Sequence, residues 1–421
     1  MKIKSIKSYE ILASGGYPTL ETRVELDSGA IGTASVPYGA SAGSHEATVL
    51  LDDDMGRYNG KGMLKAIANV NDLIAPEVVG MDANDQAAID QKMISLDGTE
   101  NKAKLGGNAI LSVSLAVAKA MANEKKVGLY EHVKEVFEID NNFSTLPQPM
   151  VVVIEGGKHA DDTTDLQEYC ISSIKADSVK EGVRHVIESY HALKKILKKN
   201  NLSTNVGNEG AFAPNGIPSN EAPFEYIVDA IKAAGYIPGE DLAISVDAAA
   251  SEFYQDGKYH LSLENKSLSA DELISYYEEW LKKYPVATFE DMHDEDDWEA
   301  WPKMLKLCEK YNVELIGDDL TVTNIKRLQK AIDEKAISAI LIKLNQIGTL
   351  SETVGTCLLA REHNMMTVFS HRGGGETNDV AMVDVAVAVG SSYIKVGPTR
   401  GERISKYNRL MEIERELKSI R

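Results

Sequence analysis

The sequence predicts an α/β protein: a (β/α)8-type barrel with irregular first units, preceded by an N-terminal α+β capping domain. Three observations lead there. Strand-like runs with glycine turns open the chain and give way to helical patterns. Later, short apolar runs alternate with amphipathic segments. And 421 residues, 43% of them hydrophobic, exceed one small domain and suffice to bury a large core.

The first elements are Ile3–Leu12, Thr22–Leu26 and Ile31–Val36, which alternate or carry β-branched residues. Gly15-Gly16 and Asp27-Ser28-Gly29 supply the turns, so the three predict an antiparallel meander. Helical patterns follow at Gly62–Ile74, Asp85–Leu96 and Gly107–Lys125, the last rich enough in Ala, Leu and Val to be buried. The polar stretch Asp140–Thr145, with Pro147 and Pro149 behind it, reads as a linker and divides the chain into domains 1–138 and 139–421.

Beyond it, Met150–Ile154 and Leu166–Ser172 succeed one another with no helix between, an irregular opening for a barrel. The regular strands are Leu242–Val246, Ala287–Phe289, Val313–Ile316, Ala339–Ile342, Met366–Phe369 and Ile394–Val396. Helices at Ala270–Lys283, Asp296–Lys310, Ile325–Glu334 and Thr349–Glu362 separate them, the rhythm of a parallel sheet closed by helices.

A formal charge of −19 repels nucleic acid and anionic membranes, so neither is an expected partner. An anionic substrate would need metal ions or a cationic pocket to reverse the local field. Met1–Ile11 alternates lysine with apolar residues and lacks a signal-peptide core, and no run is long enough to span a bilayer, so a cytoplasmic location is expected. Cys170, Cys308 and Cys357 are odd in number and widely spaced, as reduced, buried thiols would be.

Barrel enzymes carry their chemistry just after each strand. Here Asp247 follows Val246, Glu290-Asp291 follow Phe289, and Asp318-Asp319 follow Ile316-Gly317. Three successive strands thus deliver carboxylates to one rim, a ligand set for a hard cation such as Mg²⁺. Acids at such positions also cap the next helix, and for any one of them that reading is equally good. Three in register, followed by Lys343 at the next strand end, favour the metal. A lysine among apolar residues either snorkels to the rim or, with its pKa lowered by burial and a metal, serves as a base. Ser370-His371-Arg372, Gly373-Gly374-Gly375 and Lys395 add an anion clamp. Gly156-Gly157-Lys158-His159, Gln167-Glu168 and Asn208-Glu209-Gly210 add a histidine and further carboxylates. Such a set suits removal of a weakly acidic proton beside a carboxylate.

Along nearly its whole length the sequence resembles the enolase family. The resemblance is carried by Gly39-Ala40-Ser41, His45-Glu46-Ala47, Leu96–Lys102, Gly156–Ala160, Asp247–Phe253, Gly317–Asn324, Lys343–Thr349, Ser370-His371-Arg372 and Lys406-Tyr407-Asn408. It implies Mg²⁺-dependent dehydration of 2-phospho-D-glycerate to phosphoenolpyruvate, a small phosphorylated carboxylate substrate, and a homodimer or an octamer. It implies Asp247, Glu290 and Asp318 as ligands of a first Mg²⁺, with Ser41 in the first loop on a second that arrives with substrate. Lys343 would be the base and Glu209 the acid. His159, Glu168, His371, Arg372 and Lys395 would contact substrate, with Glu290 and Asp318 beside them. Some members are displayed at the cell surface or secreted by a non-standard route.

Several positions depart from the family pattern. The Ser-Gly expected after Arg372 is replaced by Gly373-Gly374-Gly375, one residue longer. Asn208-Glu209-Gly210-Ala211 stands for Asp-Glu-Gly-Gly, Glu155-Gly156-Gly157 for Asn-Gly-Gly, and Val152 for an asparagine. Ala13–Thr19 lacks the usual arginine, Tyr38 replaces the serine before Gly39, and Val396 replaces a threonine. These changes surround the expected phosphate group and the acid, and Glu155 would bring a further negative charge to the substrate if it faces the cavity. Two other readings follow. A superfamily lyase or racemase acting on a different carboxylate would explain the lost serine, although the second barrel strand lacks the Lys-x-Lys of racemase-like members. A weakly catalytic binding protein would leave many buried charges unused, at a cost to stability.

Overall fold

The computed structural model describes residues 1–39 and 43–420, excepting the side chain of residue 420. Strands β1 (Ile3–Leu12), β2 (Pro18–Leu26) and β3 (Ile31–Ser35) form the predicted meander. The second begins four residues earlier than expected, at Pro18 opposite Leu12, since a proline is tolerated as the first residue of a strand. One face of the sheet packs on the helix Gly107–Lys125, whose small side chains permit close approach. A Cβ on Gly32 would lie 2.1 Å from the carbonyl oxygen of Ala116, so strand and helix backbones nearly touch there.

The helix expected at Gly62–Ile74 is instead Leu64–Ala68, a wider π turn Asn69–Ile74, and Ala75–Val78. Pro76, which has no N–H to give to a regular α ladder, lies just beyond the wide turn. Asp85 caps the helix Gln86–Asp97 by accepting the N–H of Ala88, and Gly98 ends it in the left-handed conformation. The two-residue strand β4 (Tyr38–Gly39) was not foreseen.

The barrel is closed, as predicted, and its first units are irregular. It begins with β5 (Gln148–Glu155), β6 (Glu168–Ser173) and β7 (Leu242–Asp247). Strand β6 runs antiparallel to both neighbours. Two helices absent from the sequence reading, Val179–Lys199 and Ala222–Ala233, fill the long connection from β6 to β7. A small sheet of β8 (Tyr254–Gln255), β9 (Lys258–Leu261) and β10 (Lys266–Leu268) follows. The regular units then supply β11 (Val286–Glu290), β12 (Glu314–Gly317), β13 (Ala339–Ile342) and β14 (Met366–Ser370). The short β15 (Gly374–Gly375) pairs with β4, and β16 (Tyr393–Val396) closes the ring between β14 and β5. The helix Gly401–Ile420 ends the described chain.

Two boundaries differ from expectation for steric reasons. Pro149 is not linker; it pairs within β5 opposite Ile394, near the start of the strand. The helix expected from Asp296 starts at Trp301, where Pro302 occupies its first turn without requiring an N–H partner. The barrel interior is a separate apolar cluster that includes Met150, Val152, Cys170, Ala211, Leu341 and Val368. Val152 thus meets apolar neighbours rather than the site. The three cysteines are buried and unpaired. Among the described residues no helix is long and apolar enough to cross a membrane.

Candidate active site

The carboxyl ends of the strands bring the chemistry to one mouth. Asp247 and Glu290 end β7 and β11 side by side in register. Asp318 follows β12, Lys343 follows β13, His371 and Arg372 follow β14, and Lys395 lies in β16. Because β6 is antiparallel, the same rim is reached by its first residue, Glu168, which sits opposite Asp247. His159 comes from the turn after β5, and Glu209 from the loop between the two helices that precede β7. Apart from Glu290 and Ser41, every sequence-predicted site residue lines one tight, strongly polar cavity. Glu290 lies against Lys395 Nζ at 2.7 and 2.8 Å, and Ser41 falls outside the described residues.

On one side of the mouth carboxylates crowd around two lysines. Lys395 Nζ also lies 2.8 Å from Glu168 and 3.2 Å from Asp247, and Lys343 Nζ is hydrogen-bonded to Asp318. Gln346 donates to Asp318 at 2.8 Å, and Thr323 holds the end of β13 by accepting the Lys343 N–H at 2.9 Å. Asp291 accepts the backbone N–H groups of Asp318 and Asp319 at 2.9 and 2.7 Å. Asp291, Asp318 and Asp319 present ligand atoms within 4.8 Å of one another. Asp247 and Glu290 are instead bridged by Lys395. The sequence reading used only the first acid of Glu290-Asp291 and of Asp318-Asp319; the doubled acids were the signal for the other two.

The proton affinities test whether this side fits a cation. Burial and mutual repulsion push the carboxyls of Glu290, Asp291 and Asp319 well above the usual range, and that of Asp247 upward. The two lysines do not offset the negative charge, so a hard divalent ion fits the donor set. Lys343 balances two opposed influences. Burial alone would lower the pKa of its ammonium, but Asp318 outweighs burial and raises it.

The other side of the mouth is built from imidazoles and carboxylates. His159 Nδ1 lies 3.1 Å from Glu168 and 3.6 Å from Glu209, while His371 Nε2 lies 3.1 Å from the second oxygen of Glu209. His159, Glu168 and Glu209 form a second group with ligand atoms within 4.8 Å, already engaged with one another. Burial opposes ionisation of Glu209, yet His371 and His159 hold its carboxyl well below the usual range. Burial likewise opposes charge on His159, but Glu209 and Glu168 raise its pKa to about 9. At neutral pH the proton therefore resides on His159.

Glu155 does not face the cavity. It is fully buried beneath the Glu209 loop, and burial together with Glu209 pushes its carboxyl up to about 8.

The expected anion clamp has an internal partner. Arg372 Nη1 donates to both oxygens of Glu46 at 3.0 and 3.1 Å, with both side chains buried. Glu46 lines the cavity and was visible in the sequence only as part of the His45-Glu46-Ala47 motif. A Cβ on Gly373 would meet Glu209 Oε1 at 2.6 Å and His159 Nε2 at 2.8 Å, so the backbone presses directly on the acid side. The extra glycines pair with β4, and a Cβ on Gly375 would strike the Tyr38 ring at 2.5 Å. Ser14 joins the same seam by donating to the Gly374 carbonyl at 3.1 Å and accepting the Glu376 N–H at 3.0 Å. Three departures that are distant in sequence, at 13–19, 38 and 373–375, therefore meet in one place.

Two family models match the chain. One, described as the enolase N-terminal domain, covers residues 3–133. The other, described as the enolase C-terminal TIM barrel domain, covers residues 143–420.

Proposed function

This chain belongs to the enolase family, and we propose that it is the hydro-lyase that dehydrates 2-phospho-D-glycerate to phosphoenolpyruvate. The observation that carries the reading is that Lys343 and the Glu209–His159–His371 group line one cavity. Lys343 Nζ, as the free amine that a cation taking over Asp318 would favour, takes the proton from C2, and the electron pair left there forms the C2–C3 double bond as the C3–O bond breaks. The leaving hydroxide takes a proton delivered through Glu209, which His159 keeps supplied, and departs as water. Arg372, His371 and Lys395 hold the substrate's anionic groups, and Glu168 orients His159.

Asp247, Glu290 and Asp318 would hold a Mg²⁺ ion, with Ser41 on a second. When bound, the metal supplies positive charge for the carboxylate as negative charge builds on it. We further propose domains 1–138 and 139–421, a homodimer or an octamer, and a cytoplasmic location.

Coupled turnover of 2-phosphoglycerate with Mg²⁺ tests the reading. Activity well above that of a Lys343→Ala control is expected, and equal rates would reject it. Mg²⁺ alone should raise the melting temperature of the unliganded protein, because an ion that binds only the native state stabilises it. A second reading, a superfamily lyase for another carboxylate, is favoured by Gly373, which leaves no room for a serine hydroxyl, and by the Glu46 carboxylate already on Arg372. Proton exchange across a panel of α-hydroxy acids separates the two.

A further inference from the structure

The loop that carries Glu209 is fastened from beneath by a residue with no part in the reaction above. Glu155 ends β5, is 0% exposed, and accepts the N–H of Glu209 at 3.0 and 3.1 Å through its two carboxyl oxygens. The first of those oxygens also accepts the N–H of Ala211 at 2.8 Å. Gly207 closes around the other side, where a Cβ would meet Glu155 Oε2 at 2.4 Å. The 207–211 turn is thus wrapped around this carboxyl.

Within the turn Gly207 N–H donates to Ala211 O at 3.0 Å and Gly210 N–H to Gly207 O at 3.3 Å, Asn208 N–H reaches His159 O at 3.5 Å, and the remaining bonds involve the turn's carbonyls. Gly210 O accepts from Tyr190 at 3.1 Å and Thr399 at 2.8 Å, and Gly207 O accepts from Arg400 at 2.7 Å. Those contacts hold the outside of the turn, whereas the inward N–H groups of Glu209 and Ala211 depend on Glu155. A buried carboxyl without partners is costly, and so is a buried amide without an acceptor. Here each satisfies the other.

We propose that Glu155 is a positioning residue for Glu209: by accepting these two amide N–H groups it sets the direction in which the Glu209 side chain leaves the backbone, and so keeps its carboxylate against His371 and His159. The amide nitrogen of Glu209 is one bond from the Cα that bears the acid, so a small rotation of that peptide carries the carboxylate out of reach of both imidazoles. A displacement near 1 Å costs on the order of a hundredfold in rate. The proposal rests on the assignment of Glu209 as the acid.

Three variants of the full chain test it. Glu155→Gln keeps an acceptor oxygen, Glu155→Leu fills the space without one, and Gly207→Ala leaves Glu155 in place but drives its carboxyl away from the turn. The first readout is amide hydrogen exchange at Glu209 and Ala211, taken without substrate. Protection is expected in the wild type and Glu155→Gln, and its loss in the other two. The second readout is steady-state kinetics on 2-phosphoglycerate. In Glu155→Leu and Gly207→Ala, kcat should fall about a hundredfold with KM little changed, while Glu155→Gln stays near wild type. Unprotected amides in the wild type, equal kcat in Gln and Leu variants, or an unaffected Gly207→Ala variant would overturn the proposal. If Glu155→Leu does not fold, Gly207→Ala decides. A wild type that is inert toward 2-phosphoglycerate rejects the substrate assignment, and the exchange comparison then still decides whether Glu155 holds the loop.

Discussion

The two sides of the cavity mouth are built on different principles. The Lys343 side rises from successive parallel strands, each delivering its charge at or just past its last residue: Glu290, Asp318 and Lys343. Apart from His371, which follows the parallel strand β14, the Glu209 side rises from an antiparallel pair and two loops, so its residues come from a turn, a strand beginning and an inter-helix loop. The electrostatics differ as well. Carboxylates on the first side outnumber the lysines; Glu290, Asp291 and Asp319 are pushed toward protonation, while Lys343, against burial, holds Asp318 down. On the second, two imidazoles hold Glu209 ionised and His159 retains a proton. Under the proposed function, this contrast would let one cavity separate removal of a proton from its delivery by giving each task its own charge balance.

The sharpest way to break this comparison is to remove the base. Lys343→Ala should lower kcat by about 10⁴-fold, measured by coupled turnover, with the protein still folded by circular dichroism. Glu209→Gln should lower it less, about 10³-fold, because His159 and His371 remain at the leaving-group side. Similar losses in proton-removal rate for both variants would erase the distinction between the sides.

Asp90 is a control outside both. It is buried at the seam between the helix Gln86–Asp97 and the helix Leu350–Glu362, accepts the N–H and hydroxyl of Ser351 at 3.0 and 2.6 Å, and burial raises its carboxyl to about 6. The folded pKa lies above the unfolded one, so its stabilising contribution is complete below pH ~4 and is lost as pH rises to ~6, about 3 kcal/mol in all. Denaturant titrations of the wild type and Asp90→Asn across this window should differ by that slope.

A smaller effect is expected for Gly373→Ser, which superficially restores the family's serine. Its Cβ would press on Glu209 and His159, so kcat should fall about tenfold, in line with overpacking costs of about 1–3 kcal/mol. A gain in activity would mean that the 373–375 segment yields instead.

The regular side was legible in the sequence because a strand end is a local signal. An apolar run that stops at Glu290 or Asp318 announces its position in the barrel. The meander, the closed ring and the irregular opening could be read from the same patterns. Other contacts depend on long-range meetings that no local pattern encodes. Glu46 reaches Arg372 across 326 residues of sequence, and Tyr38 meets Gly375 through a strand of two residues. Glu155 reads as a surplus charge in a strand, and only the folded loop shows it buried under Glu209. The burial of Lys343 could be foreseen but, for the same reason, its direct contact with Asp318 could not.

The division of labour across the mouth is tested most directly by exchange of the C2 hydrogen of 2-phosphoglycerate with deuterated solvent, followed by proton magnetic resonance in the wild type, Lys343→Ala and Glu209→Gln. Exchange should persist in Glu209→Gln, where the proton can still be removed although hydroxide cannot leave, and should vanish in Lys343→Ala. Exchange that survives in Lys343→Ala but disappears in Glu209→Gln would contradict the account.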